Sequence, residues 1–248
     1  MADDLRTTIR RFVEDYRRVR LEEGFASTDP DFCRRLPFVD TTGRNRGIWR
    51  LRALHYLVVR AGIAALPRVE RILDVGAGNG WLARRLARSY RVTALDVDAA
   101  ATGLGGLKDP RVGALCGDFE ALPLRSGSFD VAVAAAVLHY ALDLGRALAE
   151  LARVLRPGGV LVVADSPFYE SAGALEQAWQ RTQVHYQRAG AGHLAGRYRG
   201  LTRDALDGAG LFRFVTLSPG PGTLRSAFAR LRGREGGARM PVLFGWKR

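Results

Sequence analysis

The chain has 248 residues, 47% of them apolar and 25% charged, with a formal net charge of +13. That length buries one sizeable core, so one α/β domain with helical additions is the simplest expectation. The longest apolar run near the centre, Val131 to Leu138, is too short for a membrane span, and two isolated cysteines, Cys33 and Cys116, argue against a disulfide framework or a zinc site.

The opening MADDLRTT lacks the basic-then-apolar order of a secretory signal, so a cytoplasmic protein is expected. Residues 166–248 hold 13 of the 38 basic side chains but only 5 of the 25 acidic ones, which favours an acidic partner: a phosphorylated or carboxylated small molecule, or nucleic acid. Because nearly all the cations are arginines, with only Lys108 and Lys247 as lysines, compositional bias explains the charge as well, and nucleic acid is the weaker expectation.

In chain order, Leu5, Ile9, Phe12, Val13, Tyr16 and Val19 recur at helical spacing and predict an amphipathic helix over 5–22. The polar stretch Ser27 to Asp31, with Pro30, ends it. A turn-rich loop, Asp40 to Gly47, leads to a second helix over Ile48 to Ala61, stopped by Gly62 and Pro67. From Arg71 short apolar runs alternate with helical stretches. RILDVG, RVTALDVD, VGALCGD, FDVAVAAAV and VLVVADS read as five strands, with helices over Trp81–Ser89 and Leu144–Leu155 among them. Such alternation implies parallel βαβ units with helices on both faces. Residues 168–200 interrupt it with a helical, aromatic-bearing insertion. A short helix from Thr202 to Gly210, a sixth strand LFRFVTLS, a helix over Thr223–Arg232 and a seventh strand MPVLFGWKR complete the prediction. The division expected is a helical N-terminal arm or lid over 1–66 and one domain over 67–248.

The segment Leu73-Asp74-Val75-Gly76-Ala77-Gly78-Asn79-Gly80 follows a strand and opens a helix. Its glycines permit positive φ and close approach of backbone to a ligand. The spacing is D-x-G-x-G-x-G, unlike the dinucleotide GxGxxG, since Trp81 stands where the third glycine would fall. Asp96 ends the second strand 20 residues after Gly76, where a carboxylate accepts from both ribose hydroxyls. Gly117-Asp118-Phe119 follows the third strand, where a carboxylate accepts from an adenine amine and an aromatic addresses the ring edge. Three matches at consecutive strand ends lie where an open α/β sheet binds ligands.

With LDVGAGNG, ALDVD, GDFEALPL, FDVAVAAAVLHY and LARVLRPGGVLVVADS in this order, residues 71–165 resemble the class I S-adenosylmethionine (SAM)-dependent methyltransferases, especially the type 11, UbiE-like small-molecule branch. The resemblance implies a Rossmann-like sheet of seven strands, with the last antiparallel between the fifth and sixth. It implies that Asp74, Gly76, Ala77 and Gly78 line the methionine end of SAM and that Asp96 holds the ribose. By the same resemblance Val97 packs on adenine, Asp118 and Phe119 bind its edge, and the carbonyl of Ala134 meets the methionine amino group. S-adenosylhomocysteine would be the product.

His139, just past the fourth strand, is the leading candidate base; its other reading is a turn histidine that shapes the site without moving a proton. His185 and Tyr186 in the insertion are further catalytic candidates, with His193 and Tyr198 weaker ones. Asp165 faces the same crevice and orients an acceptor or caps its loop; His55, inside an apolar helix, reads as structural. Arg46 and Arg50, four apart within the cluster Arg44, Arg46, Arg50, Arg52, are candidates for the SAM carboxylate or an anionic acceptor, against a solvated helix face. Arg197, Arg199 and Arg203 are candidates for an acidic acceptor. The leading expectation is a methyltransferase acting on a small-molecule acceptor, most simply at oxygen, in secondary or cell-envelope metabolism, as monomer or homodimer. An RNA or protein methyltransferase and a non-catalytic SAM-binding partner subunit are the alternatives.

Overall fold

The computed structural model describes residues 2–218 and 238–248. Seven strands form one sheet: β1 (Arg71–Val75), β2 (Arg91–Asp96), β3 (Val112–Cys116), β4 (Phe129–Ala135), β5 (Leu155–Ala164), β6 (Phe212–Ser218) and β7 (Val242–Lys247). Their order is β3-β2-β1-β4-β5-β7-β6. The first five run parallel, and β7 is antiparallel to both β5 and β6, as the family resemblance implies. β1, β4 and the second half of β5 are nearly continuous apolar runs because both faces are covered. The order reverses between β1 and β4, and the loops leaving their carboxyl ends part there to open a crevice.

The helices are α1 (Ala2–Glu22), α2 (Pro30–Arg35), α3 (Arg46–Ala64), α4 (Trp81–Leu86), α5 (Leu144–Val154), α6 (Ala172–Arg188) and α7 (Arg203–Gly208). Side-chain caps fix several starts. Asp143 accepts from the Arg146 N–H, Ser171 from that of Ala174, and Thr202 from that of Ala205, each satisfying an orphan donor of the first turn. Two apolar clusters cover the sheet. One joins Trp49, Tyr56, Val59 and Ile63 of α3 to Ile72, Val131, Val162 and Phe244; the other sets Leu148 and Leu151 of α5 against Leu73, Ala132 and Leu161. Thus α3 belongs to the same core as the sheet.

Three details differ from the sequence prediction. The polar stretch at 27–31 does more than end a helix: Asp29 caps α2 by accepting from the Asp31 N–H, and α2 seats Phe32, with the Leu36 that follows it, in the core. β5 starts at Leu155, ahead of the Arg-Pro-Gly-Gly turn read as its boundary. Gly62 does not stop α3, which continues to Ala64, because this glycine is where the helix presses on the sheet: a Cβ there would collide with the Phe244 ring and lie 3.0 Å from Leu217 Cδ1. The helix predicted over Thr223–Arg232 lies outside the described residues.

Replacing Gly62 by Ala sets two effects against each other. Helix propensity favours Ala by about 1 kcal/mol, whereas overpacking against an aromatic costs about 1–3 kcal/mol. The expected outcome of G62A is a net loss of stability in urea unfolding; an unchanged or raised midpoint would show that α3 and β7 separate freely.

Candidate active site

The turn after β1 takes its shape from left-handed glycines, with φ of +63° at Gly76, +53° at Gly78 and +72° at Gly80. A Cβ on Gly76 would overlap Val137, and one on Gly80 would lie 2.7 Å from Leu107; one on Gly78 meets no protein atom within 4 Å and points into open space. Two of the glycines therefore serve packing, and the third leaves room. The Gly78 N–H donates to Asp96 Oδ2 at 2.8 Å, and the Asp98 N–H donates to Asp96 Oδ1 at 2.8 Å, so the strand-end carboxylate is fixed beside the loop. Burial raises the pKa of Asp96. Below the loop, Asp74 is 1% exposed, one of its oxygens has no partner, and burial pushes its carboxyl up to about 8.

Gly76, Ala77, Gly78 and Asp96 share one cavity of about 280 Å³, which also reaches α1, α3 and the ends of β4 and β5. The other expected cofactor residues stand outside its lining. Ala134 is a fully buried ladder residue paired with Val75 and Val163, and the cavity wall begins one residue later, at Ala135 and Ala136. The Asp118 carboxylate accepts from the Glu120 N–H at 2.9 Å, Phe119 packs on the α5-side core, and the Val97 carbonyl accepts from Cys116 Sγ at 3.6 Å.

Across the cavity α1 lies over the mouth. Arg17 donates to both oxygens of Asp98, at 2.6 and 3.2 Å. Arg20 donates to the hydroxyls of Tyr140 (2.7 Å) and Tyr186 (2.9 Å) and to Glu23 (2.6 Å). His139 is buried between the Tyr140 and Tyr198 rings, with Nδ1 3.1 Å from Ser166 Oγ. Burial, helped by the nearby charges of Arg20 and Arg52, depresses its pKa to about 3, so it stays neutral and is a weak base. His185 and Tyr186 fall beyond Arg20, in a neighbouring hollow with Tyr169 and Arg181; His185 Nε2 is 2.7 Å from a Glu23 carboxylate oxygen. Of the weaker candidates, His193 pairs with Asp15 at 3.3 Å, while Tyr198 lines the cavity.

Of the four arginines around α3, only Arg52 reaches the cavity; Arg46 and Arg50 are exposed. The Arg52 guanidinium lies over the rings of Trp49 (4.6 Å) and Phe25 (5.7 Å), and among the described residues no carboxylate or hydrogen-bond acceptor is matched to it. Of the later arginines, Arg197 stacks on Phe12, Arg203 pairs with Asp207, and Arg199 is exposed and does not line the cavity. Asp165 lines the cavity with φ of +56°, and its carboxylate meets Nδ1 of the buried His55 at 2.6 Å. Sequence reasoning missed this pair and the inward guanidiniums of Arg17 and Arg20. Helical periodicity tells which stripe of α1 is apolar but not which arginine turns beneath it. Among the described residues no three His, Cys, Asp or Glu side chains converge as metal ligands, and no helix is long and apolar enough to cross a membrane.

Two predictions follow from the loop and its carboxyl group. G78A adds a methyl into open space at a left-handed residue, so stability falls by about 1–2 kcal/mol while affinity for S-adenosylhomocysteine drops at least tenfold by calorimetry. Unaltered affinity would place that ligand elsewhere. For Asp74, the folded pKa of about 8 lies above the ordinary carboxyl value of about 3.9. The native state then holds a proton that the unfolded chain releases, and stability falls as pH rises from about 4 to 8. Denaturation across that window should show this loss in the native protein and a flatter profile in D74N.

A family model described as a methyltransferase domain matches residues 73–163. The chain is 33% identical over 179 residues to a malonyl-(acyl-carrier protein) O-methyltransferase of Enterobacter lignolyticus, covering 69% of this chain and 67% of that one. It is 35% identical over 130 residues to a demethylmenaquinone methyltransferase of Renibacterium salmoninarum, covering 52% of this chain and 54% of the other. The chain spans about half the length of the first of the curated relatives it matches. In fold it is similar to the geranyl diphosphate C-methyltransferase of Streptomyces coelicolor, solved with Mg2+, geranyl diphosphate and S-adenosylhomocysteine. The TM-score is 0.59 at 16% identity, with 80% of each chain covered. The chain belongs to the class I SAM-dependent methyltransferase family.

Proposed function

We propose that the chain methylates an oxygen of a small anionic acceptor, using SAM, in secondary or cell-envelope metabolism in the cytoplasm. The observation that carries this reading is one cavity lined by Gly76, Gly78 and Asp96 and also by His139, Asp165 and Arg52, which has no counter-ion among the described residues. The residues present suit SAM. Gly78 leaves open the space a Cβ would occupy, Asp96 has lone pairs left for ribose hydroxyls, and Asp74 keeps an unpartnered oxygen below the loop. Gly76, Ala77 and Gly78 would take the methionine end and Asp96 the ribose. Val97, Asp118 and Phe119, at the ends of β2 and β3, would take adenine, and the backbone at the end of β4 by Ala134 the amino group. When bound, SAM supplies an already activated methyl group, so the protein's task is mainly alignment.

The roof formed by α1, a lid in this reading, suits a small molecule better than a nucleic acid or protein chain, because Arg17 and Arg20 tie it down at Asp98, Tyr140 and Tyr186. The walls offer the Trp49, Tyr140 and Tyr198 rings to an apolar body, and Arg52 to an anion. The O-methyltransferase relative supports an oxygen acceptor. In this role His139 holds the wall and the Arg199 backbone, whose N–H donates to the His139 carbonyl at 2.7 Å, and leaves proton removal to another group. His185 and Tyr186 seat the lid through Glu23 and Arg20.

Calorimetry with S-adenosylhomocysteine, followed by turnover of SAM on hydroxybenzoates, hydroxycinnamates and catechol, tests the reading. Binding and a methylated oxygen are expected. Binding without product from any acceptor sinks the catalytic part. In R52Q, KM for a carboxylate-bearing acceptor should rise about tenfold, a loss of ~1.4 kcal/mol, with S-adenosylhomocysteine affinity unchanged. Loss of that affinity instead would assign Arg52 to the cofactor's carboxylate.

A further inference from the structure

We infer that Asp165, held by His55, is the group that takes the acceptor's hydroxyl proton. The inference rests on the methyl-transfer reading above. Methylating a hydroxyl releases a proton, and His139, buried beside two guanidinium groups, is poorly placed to receive it. Asp165 is the carboxylate just past β5 that lines the cavity, beside Ala136, the residue that follows β4. These two residues are both held at left-handed φ without being glycine, +56° and +59°, on adjacent strand ends joined by the Ala136 N–H to the Ala164 carbonyl at 2.9 Å. Unfavourable backbone of this kind persists only where the surroundings over-determine it, and it concentrates at functional sites.

What over-determines Asp165 is His55. The contact spans 110 positions, from the middle of α3 to the end of β5, and both side chains are buried. An ionised carboxylate only accepts, so the hydrogen between them sits on His55 Nδ1. His55 Nε2 is buried with no partner. A buried lone pair without a partner is tolerated more readily than a buried N–H without one. The Nδ1–H form therefore satisfies both ends, and His55 orients the carboxylate as a second residue orients a general base.

The step balances simply. The acceptor oxygen's lone pair forms the new O–C bond, the S–C bonding pair stays with sulfur, and the O–H proton passes to an Asp165 carboxylate oxygen. That proton leaves to water once the product has gone. Asp165 touches the acceptor and is catalytic; His55 is a positioning residue.

The test compares 4-hydroxybenzoate, which arrives protonated at its phenol, with 4-hydroxy-3-nitrobenzoate, which arrives largely ionised at pH 8. Asparagine tolerates left-handed φ, so D165N retains the turn. In D165N, kcat on 4-hydroxybenzoate should fall at least 100-fold, and on the nitro compound less than fivefold, with KM and S-adenosylhomocysteine affinity within threefold. H55L should show the same selective loss in weaker form, and H55N, which restores an N–H near the Nδ1 position, should recover most of it. Independently of turnover, imidazole 15N spectra should show His55 protonated at Nδ1, with its proton strongly deshielded and shifted upfield in D165N. Equal slowing of both acceptors, no slowing of either, or an Nε2–H form of His55 overturns the inference. If S-adenosylhomocysteine binds but the unaltered protein methylates no acceptor, the methyl-transfer reading falls first, and this inference with it.

Discussion

The reversal of strand order between β1 and β4 is the constraint on which the remainder rests. Parallel neighbours can be joined only by crossovers, and at this one place the crossovers leave in opposite directions. The gap between them exposes strand-end backbone that no neighbouring loop covers. The chain answers with glycines after β1, a left-handed alanine after β4 and a left-handed aspartate after β5. Each turns the backbone sharply at the same edge of the sheet. The helices before β1 then fold back over this edge, so Tyr16, Arg17 and Arg20 of α1 line a cavity built by the middle of the chain.

Charge balance inside that site is unusual for a buried region. Arg20 and Arg52 bring two cations close enough to His139 to depress its protonation, and the anions Asp96 and Asp165 line the same cavity, each already gripped by a donor from the protein. Arg20 is matched by Glu23 and two phenols, with Nε alone left over. Arg52 has aromatic faces and no counter-ion among the described residues. Burying a cation without a partner is costly, and a ligand that brings the opposite charge removes that cost.

The sheet was legible in the sequence because its strands are apolar runs punctuated by glycine and aspartate, and residue type alone marks such boundaries. Asp96 and the Gly76–Gly78 turn were legible for the same reason: spacing along one βαβ unit is local. What depends on distant segments was not. Gly62 looks like a helix stop until Phe244, 182 residues later, is seen against it. His55 sits in an apolar helix and reads as core; its partner lies 110 positions away, just past β5. Arg46 and Arg50 share a helical face, but the sheet decides which face looks inward, and it selected Arg52.

The seat of α1 also bears on pace. Beside the apolar packing of Val19 and Tyr16 on Tyr186, Leu194 and Tyr140, its described polar attachments over the mouth are guanidinium contacts, Arg17 on Asp98 and Arg20 on two phenols, with the side chains of Arg17 and Arg20 still 30% and 19% exposed. Charged contacts that water can reach break and re-form readily and weaken with ionic strength. For a reaction product too large to slip past Tyr16 and Phe25, departure waits on that detachment. Dissolved salt, by weakening those ties, loosens the roof over the cavity.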